Sequence, residues 1–124
     1  MTRPLMHGFE ANIDWTFLDR KVLEQVAFGR FDTQLHFEDD VTVAIYCDDF
    51  EVLPPSAVRS DPGSFTSRRL ALVGLLGTRV ERVLRPDPKT LVIQLSDCAN
   101  LTLHDRSADA ESFIISSPSA TLVV

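Results

Sequence analysis

The chain has 124 residues, 44% hydrophobic and 24% charged, with a net charge of -6. That length suits one domain with a core large enough to need no disulfide or metal. The acidic balance argues against a general nucleic-acid binder, which must meet phosphate with a basic surface. The longest uncharged apolar run, residues 70–77, is far short of the roughly 20 residues a membrane helix needs. No secretory-type apolar run opens the sequence, which predicts a cytoplasmic location. Cys47 and Cys98 form no C-x-x-C pair and read as free thiols.

In chain order, residues 1–12 show no period and read as an arm. Asn12 or Asp14 is placed to cap a turn holding Trp15, Phe17 and Leu18. Residues 22–28 read as a strand stopped by Gly29. Leu35 and Phe37 then alternate with polar neighbours, Asp39-Asp40 marks a turn, and Val41, Val43 and Ile45 resume the alternation. This is the pattern of a β-hairpin with one buried face. Residues 50–53 form a short strand before Pro54-Pro55. Ser64 or Thr66 can cap a main helix over 64–77 ended by Gly77, and its apolar character on nearly every side predicts burial against a sheet. Residues 79–85 read as a strand and Pro86–Lys89 as a turn. Leu91, Ile93 and Leu95 alternate, residues 97–100 turn the chain, and Leu101 and Leu103 alternate again. Residues 113–115 and 121–124 close the set of strands.

The two halves resemble one another. At a spacing of 58 residues, Lys21 meets Arg79, Val22 meets Val80, Leu35 meets Ile93 and Phe37 meets Leu95. A longer second turn would carry the spacing to 60 at Val41-Thr42-Val43 against Leu101-Thr102-Leu103, and residues 50–52 resemble 113–115 at 63. Leu23 against Glu81 and Gln25 against Val83 disagree. The expected fold is therefore α+β and strand-rich. Two similar β-meander units, 13–53 and 64–115, would share one core within a single domain, 1–124.

No nucleotide, P-loop, zincin or nucleophile-elbow motif is present. His7, His36 and His104 stand apart from any cluster of ligand residues, so no metal or cofactor is expected. Ser112, His104 and Asp105 contain the residue types of a hydrolytic triad but no sharp turn to present the serine. Asp39-Asp40 and Asp48-Asp49 read as solvated turns rather than acid–base pairs. Trp15, Phe28, Phe31, Phe37 and Phe65 read as core aromatics.

The stretches F-L-D-R-K-V-L-E-Q-V, Q-L-H-F-E-D-D-V-T-V, L-L-G-T-R-V, T-L-V-I-Q-L-S-D and E-S-F-I-I, over residues 13–115, resemble an uncharacterised bacterial single-domain family of unknown function. Ala110 stands where that family often has Tyr, and Asp19 where it has Gly, while Gly77 fits. The resemblance supplies no catalytic residues.

Charge supplies the functional expectation. Residues 31–58 carry acids and no Lys or Arg, whereas residues 59–89 are rich in arginine. If the units are related by a two-fold axis, equivalent faces carry opposite charge. The expected function is a non-catalytic protein-interaction module of the bacterial cytoplasm, immunity-type or regulatory. Arg68, Arg69, Arg79, Arg82 and Arg85 would meet an acidic protein surface or a second copy in a homodimer. The alternatives are a small-ligand binder with a pocket between the units, where Arg82 would point inward beside Val80 and Leu84, and an enzyme with an unrecognised site. Neither nucleic acid nor membrane is expected as a partner.

Overall fold

The structure, a computed structural model, describes residues 14–47, 49–55, 68–105, 113–118 and 120–123. Its strands are β1 (Leu23–Phe28), β2 (Thr33–Phe37), β3 (Val41–Ile45), β4 (Phe50–Leu53), β5 (Val80–Asp87), β6 (Thr90–Leu95), β7 (Asn100–His104), β8 (Phe113–Ser117) and β9 (Ala120–Val123). They form a five-stranded sheet in the order β1-β2-β3-β8-β9 and a four-stranded sheet in the order β4-β7-β6-β5. Every pairing is antiparallel. Leu35, Phe37, Val43 and Ile115 of one sheet share a single buried cluster with Ile93, Leu95, Leu101 and Phe50 of the other. The molecule is a β-sandwich whose inner faces carry the alternating apolar residues.

The expected α+β class with a main helix over 64–77 is corrected. One α-helical turn, α1 (Arg68–Ala71), leads directly into a 3-10 turn (Leu72–Leu75), and residues 64–67 lie outside the described residues. Among the described side chains of this segment, Ala71, Leu72 and Leu75 are buried, while Leu70, Val73 and the following Leu76 are exposed. A segment with so short a buried stripe gains too little from packing to propagate a long α-helix. Pro86 and Asp87, expected in a turn, instead finish β5.

Local backbone geometry recurs between the two halves, in a register that differs from the sequence one. The 3-10 turn Trp15–Leu18 corresponds to Leu72–Leu75, and the residues that end them, Asp19 and Leu76, have nearly identical φ and ψ. Arg20 and Gly77 follow, both at positive φ. Arg20 N–H donates to Val80 O and Gly77 N–H to Leu23 O, each at 2.9 Å. Leu23 N–H donates to Thr78 O and Val80 N–H to Lys21 O, also at 2.9 Å. The isolated bridge Val22↔Arg79 lies at the centre of this reciprocal set. Leu23 thus corresponds to Val80, one residue from the sequence register, and the disagreements at Leu23 and Gln25 disappear. A register irregularity follows both residues, between Leu23 and Gln25 and between Val80 and Arg82. A bulge inverts the alternation that sequence comparison assumes.

At the hairpin turns, Phe37 opposes Val41, and Leu95 N–H donates to Ala99 O at 2.8 Å. Asp39 and Asp40 have φ of 60°, and Asp97 and Cys98 have φ of 56° and 61°. The two turns are equal in length, so the expected change of spacing at β3 does not occur: Val43 corresponds to Leu101 and Ile45 to Leu103. The fourth strands are exchanged. Val52 pairs with Leu101 and Phe50 with Leu103, whereas Ile115 pairs with Val43 and Phe113 with Ile45. Each half completes the other half's sheet.

Candidate functional site

Of the five arginines singled out from the sequence, two lie on one strand and a third stands at its foot. Arg82 and Arg85 lie on β5, an end strand of the four-stranded sheet, and Arg79 stands at its foot. Arg68 and Arg69 open α1, and their side chains lie outside the described residues. Arg79 is about half exposed, with its Nε 3.6 Å from Glu81 Oε2. Arg82 does not point inward. After the bulge its partner is Gln94, on the solvent side, and Val83 takes the inward place opposite Ile93.

Arg82 instead borders a shallow depression of about 320 Å³ with Asp14, Trp15, Thr16, Asp19, Glu81 and Val83. Its wall is the Trp15–Leu18 turn of the first half and its floor is β5 of the second. Asp14 caps that turn by accepting a hydrogen bond from Thr16 N–H at 3.0 Å. The bond from the Thr16 backbone, then that from its hydroxyl, holds the Asp14 carboxyl below the ordinary aspartate range. The corresponding place in the other half is apolar: Val73 and Leu76 stand where Thr16 and Asp19 stand, and both are exposed.

The acidic block is not one free face. Lys21 Nζ donates to Asp39 Oδ2, and Glu38 Oε1 accepts from Val22 N–H at 2.9 Å. Glu51 Oε2 bonds His104 Nε2 at 2.8 Å. Strand exchange carries Glu51 and Asp49 beside β7, among the second half's strands. The expected opposition of an acidic first unit and a basic second unit is therefore broken by the fourth strands.

His36 Nδ1 lies 3.3 Å from Thr42 Oγ1, on the outer side of the five-stranded sheet. Asp105 is buried next to His104, and Ser112 lies outside the described residues. Among the described residues, no three His, Cys, Asp or Glu side chains gather as a cation site, and no helix is long and apolar enough to cross a membrane.

Sequence reasoning missed one surface. Phe28, Phe31 and Tyr46 are 44%, 78% and 44% exposed at one end of the five-stranded sheet. The Arg30 guanidinium carbon sits 5.1 Å from the Phe31 ring centre. Phe31 and Tyr46 line a depression of about 200 Å³ with Thr33 and Cys47. The expectation that Phe28 and Phe31 are core residues is corrected, while Phe37 is core. The signal was available: Phe31 follows Gly29-Arg30, where a turn between strands presents its side chains to water.

Compared with known proteins, the chain matches no family model, no curated protein and no solved structure.

Proposed function

We propose that the chain is a non-catalytic protein-interaction module of the bacterial cytoplasm, immunity-type or regulatory, that meets an acidic protein surface through Arg79, Arg82 and Arg85, together with Arg68 and Arg69 at the start of α1. The observation that carries this reading is the placement of Arg82 and Arg85 on one end strand, with Arg79 at its foot. Bulges and Pro86 make the backbone of that strand a poor template for strand addition, which leaves guanidinium groups as its contact chemistry. The test uses poly-glutamate as an acidic probe against isotope-labelled protein at low salt. Shifts of the amide signals confined to residues 79–85, lost at high salt and in Arg82→Glu/Arg85→Glu, are expected. No shifts, or shifts only elsewhere, would overturn it.

A second reading, a small-ligand site between the halves, is favoured by the depression that joins Asp14, Trp15 and Arg82. A zwitterionic ligand suits its mixture of carboxylates, indole and guanidinium. Quenching of the fluorescence of Trp15, the single tryptophan, by a panel of amino acids reports on that site. We further propose that the halves descend from a duplicated meander, supported by the reciprocal hydrogen bonds about Val22 and Arg79.

A further inference from the structure

Among the described residues, the two sheets expose four edges, and three are blunted. β4 carries Glu51, packs near α1 and runs into Pro54-Pro55. β5 carries Glu81, Arg82, Arg85 and Pro86 with two register irregularities. β1 carries Glu24 and a register irregularity, and its foot is tied to the other sheet at Val22. Charge, proline and bulges are the devices by which sheet proteins prevent edges from pairing with other chains.

β9 has none of them. Its sequence is Ala-Thr-Leu-Val, without charge or proline, and it pairs with β8 in unbroken register from Ser117↔Ala120 to Ile114↔Val123. Thr121 is exposed. The neutrality extends inward, because β8 (F-I-I-S-S) and β3 (V-T-V-A-I) also lack any charged residue. In a chain of net charge -6, pairing along β9 sets no charged strand residue of one copy against its like in the other. An antiparallel strand pair is also self-complementary, since a two-fold axis maps each strand onto its partner.

We propose that β9 is a self-association edge: two copies pair β9 with β9 antiparallel about a two-fold axis, joining their five-stranded sheets into one continuous sheet. The contact is a short ladder, so pairing is weak and concentration-dependent. It lies on the other sheet from the arginines and does not rest on their role.

The test is sedimentation of the full chain from micromolar to millimolar concentration. The wild type is expected to shift from monomer to dimer. Thr121→Lys, which places a cation on the edge, is expected to raise the dissociation constant at least tenfold with an unchanged melting temperature. Arg82→Glu is expected to leave dimerisation unchanged, which separates this proposal from the arginine surface. As a check independent of variants, a mixture of isotope-labelled and unlabelled wild type should show contacts between β9 residues of different copies. A wild type that stays monomeric at millimolar concentration overturns the proposal and leaves the edge for a strand of another protein. A dimer that survives Thr121→Lys, or contacts only at residues 79–85, also overturns it.

Discussion

Arg20 and Gly77 hold the same place in the two halves, with φ of 64° and 83°. A side chain built on Gly77 would meet nothing within 4 Å, so the cost of Gly77→Ala is conformational alone. It should lower stability by about 1 kcal/mol, read as a fall in the urea midpoint at constant slope. Leu35 and Ile93 are fully buried at matching inward positions. Leu35→Ala or Ile93→Ala should each cost about 2–5 kcal/mol. Phe31→Ala, at a side chain 78% exposed, should stay within about 0.5 kcal/mol. Asp14 adds a pH dependence with a definite sign. Its folded pKa is lowered by the Thr16 bonds, so its contribution is present above the unfolded value and fades as pH falls through the folded one. Titration of its carboxyl carbon by NMR should lie below that of an unstructured aspartate, and Asp14→Ala should abolish that part of the acid sensitivity.

At the scale of elements, the hairpin β2–β3 was legible because period-2 alternation survives wherever a strand has one wet face, as at Gln34, Leu35, His36 and Phe37. Both hairpin turns need two successive residues at positive φ, at Asp39-Asp40 and Asp97-Cys98. Such turns favour glycine at the second position. Asp40→Gly or Cys98→Gly is therefore expected to stabilise the protein by up to about 1 kcal/mol in thermal or urea unfolding. The segment 68–75 was misread because LALVGLL is equally apolar as a helix or as two tight turns. What ends it as a short turn is the reciprocal bonding of Gly77 and Thr78 to β1, which fixes where the chain must leave. The bulges after Leu23 and Val80 were equally hidden, since a bulge changes which residues face inward without changing composition.

At the scale of the whole molecule, the exchange of β4 and β8 makes each half incomplete alone. A chain cut between residues 55 and 68 should yield two fragments without native strand signal in far-ultraviolet dichroism, and the signal should return on mixing. If either fragment folds by itself, the exchanged strands contribute less than the pairing of Phe50 with Leu103 and Ile115 with Val43 implies. Of the candidate site, the arginines of β5 were legible as a basic stretch. The place of Arg82 and Arg85 on an end strand, and the outward turn of Arg82, depended on β5 having β6 as its one sheet neighbour and on the bulge. The exposure of Phe31 was legible from its place after Gly29-Arg30, whereas that of Phe28 was not, since an aromatic in an apolar run looks the same at the covered middle of a strand and at its uncovered end.

The sequence by itself determined most of the strands and the inward apolar positions of β2, β3, β6 and β7, because alternation and turn chemistry act over neighbouring residues. Tertiary structure alone decided the exchange of fourth strands, the one-residue correction at Leu23 and Val80, and which strands stand at the ends of the sheets. Those features depend on which backbone groups find partners across the molecule, and hydrogen bonding between main chains leaves no mark on the identity of the residues that make it.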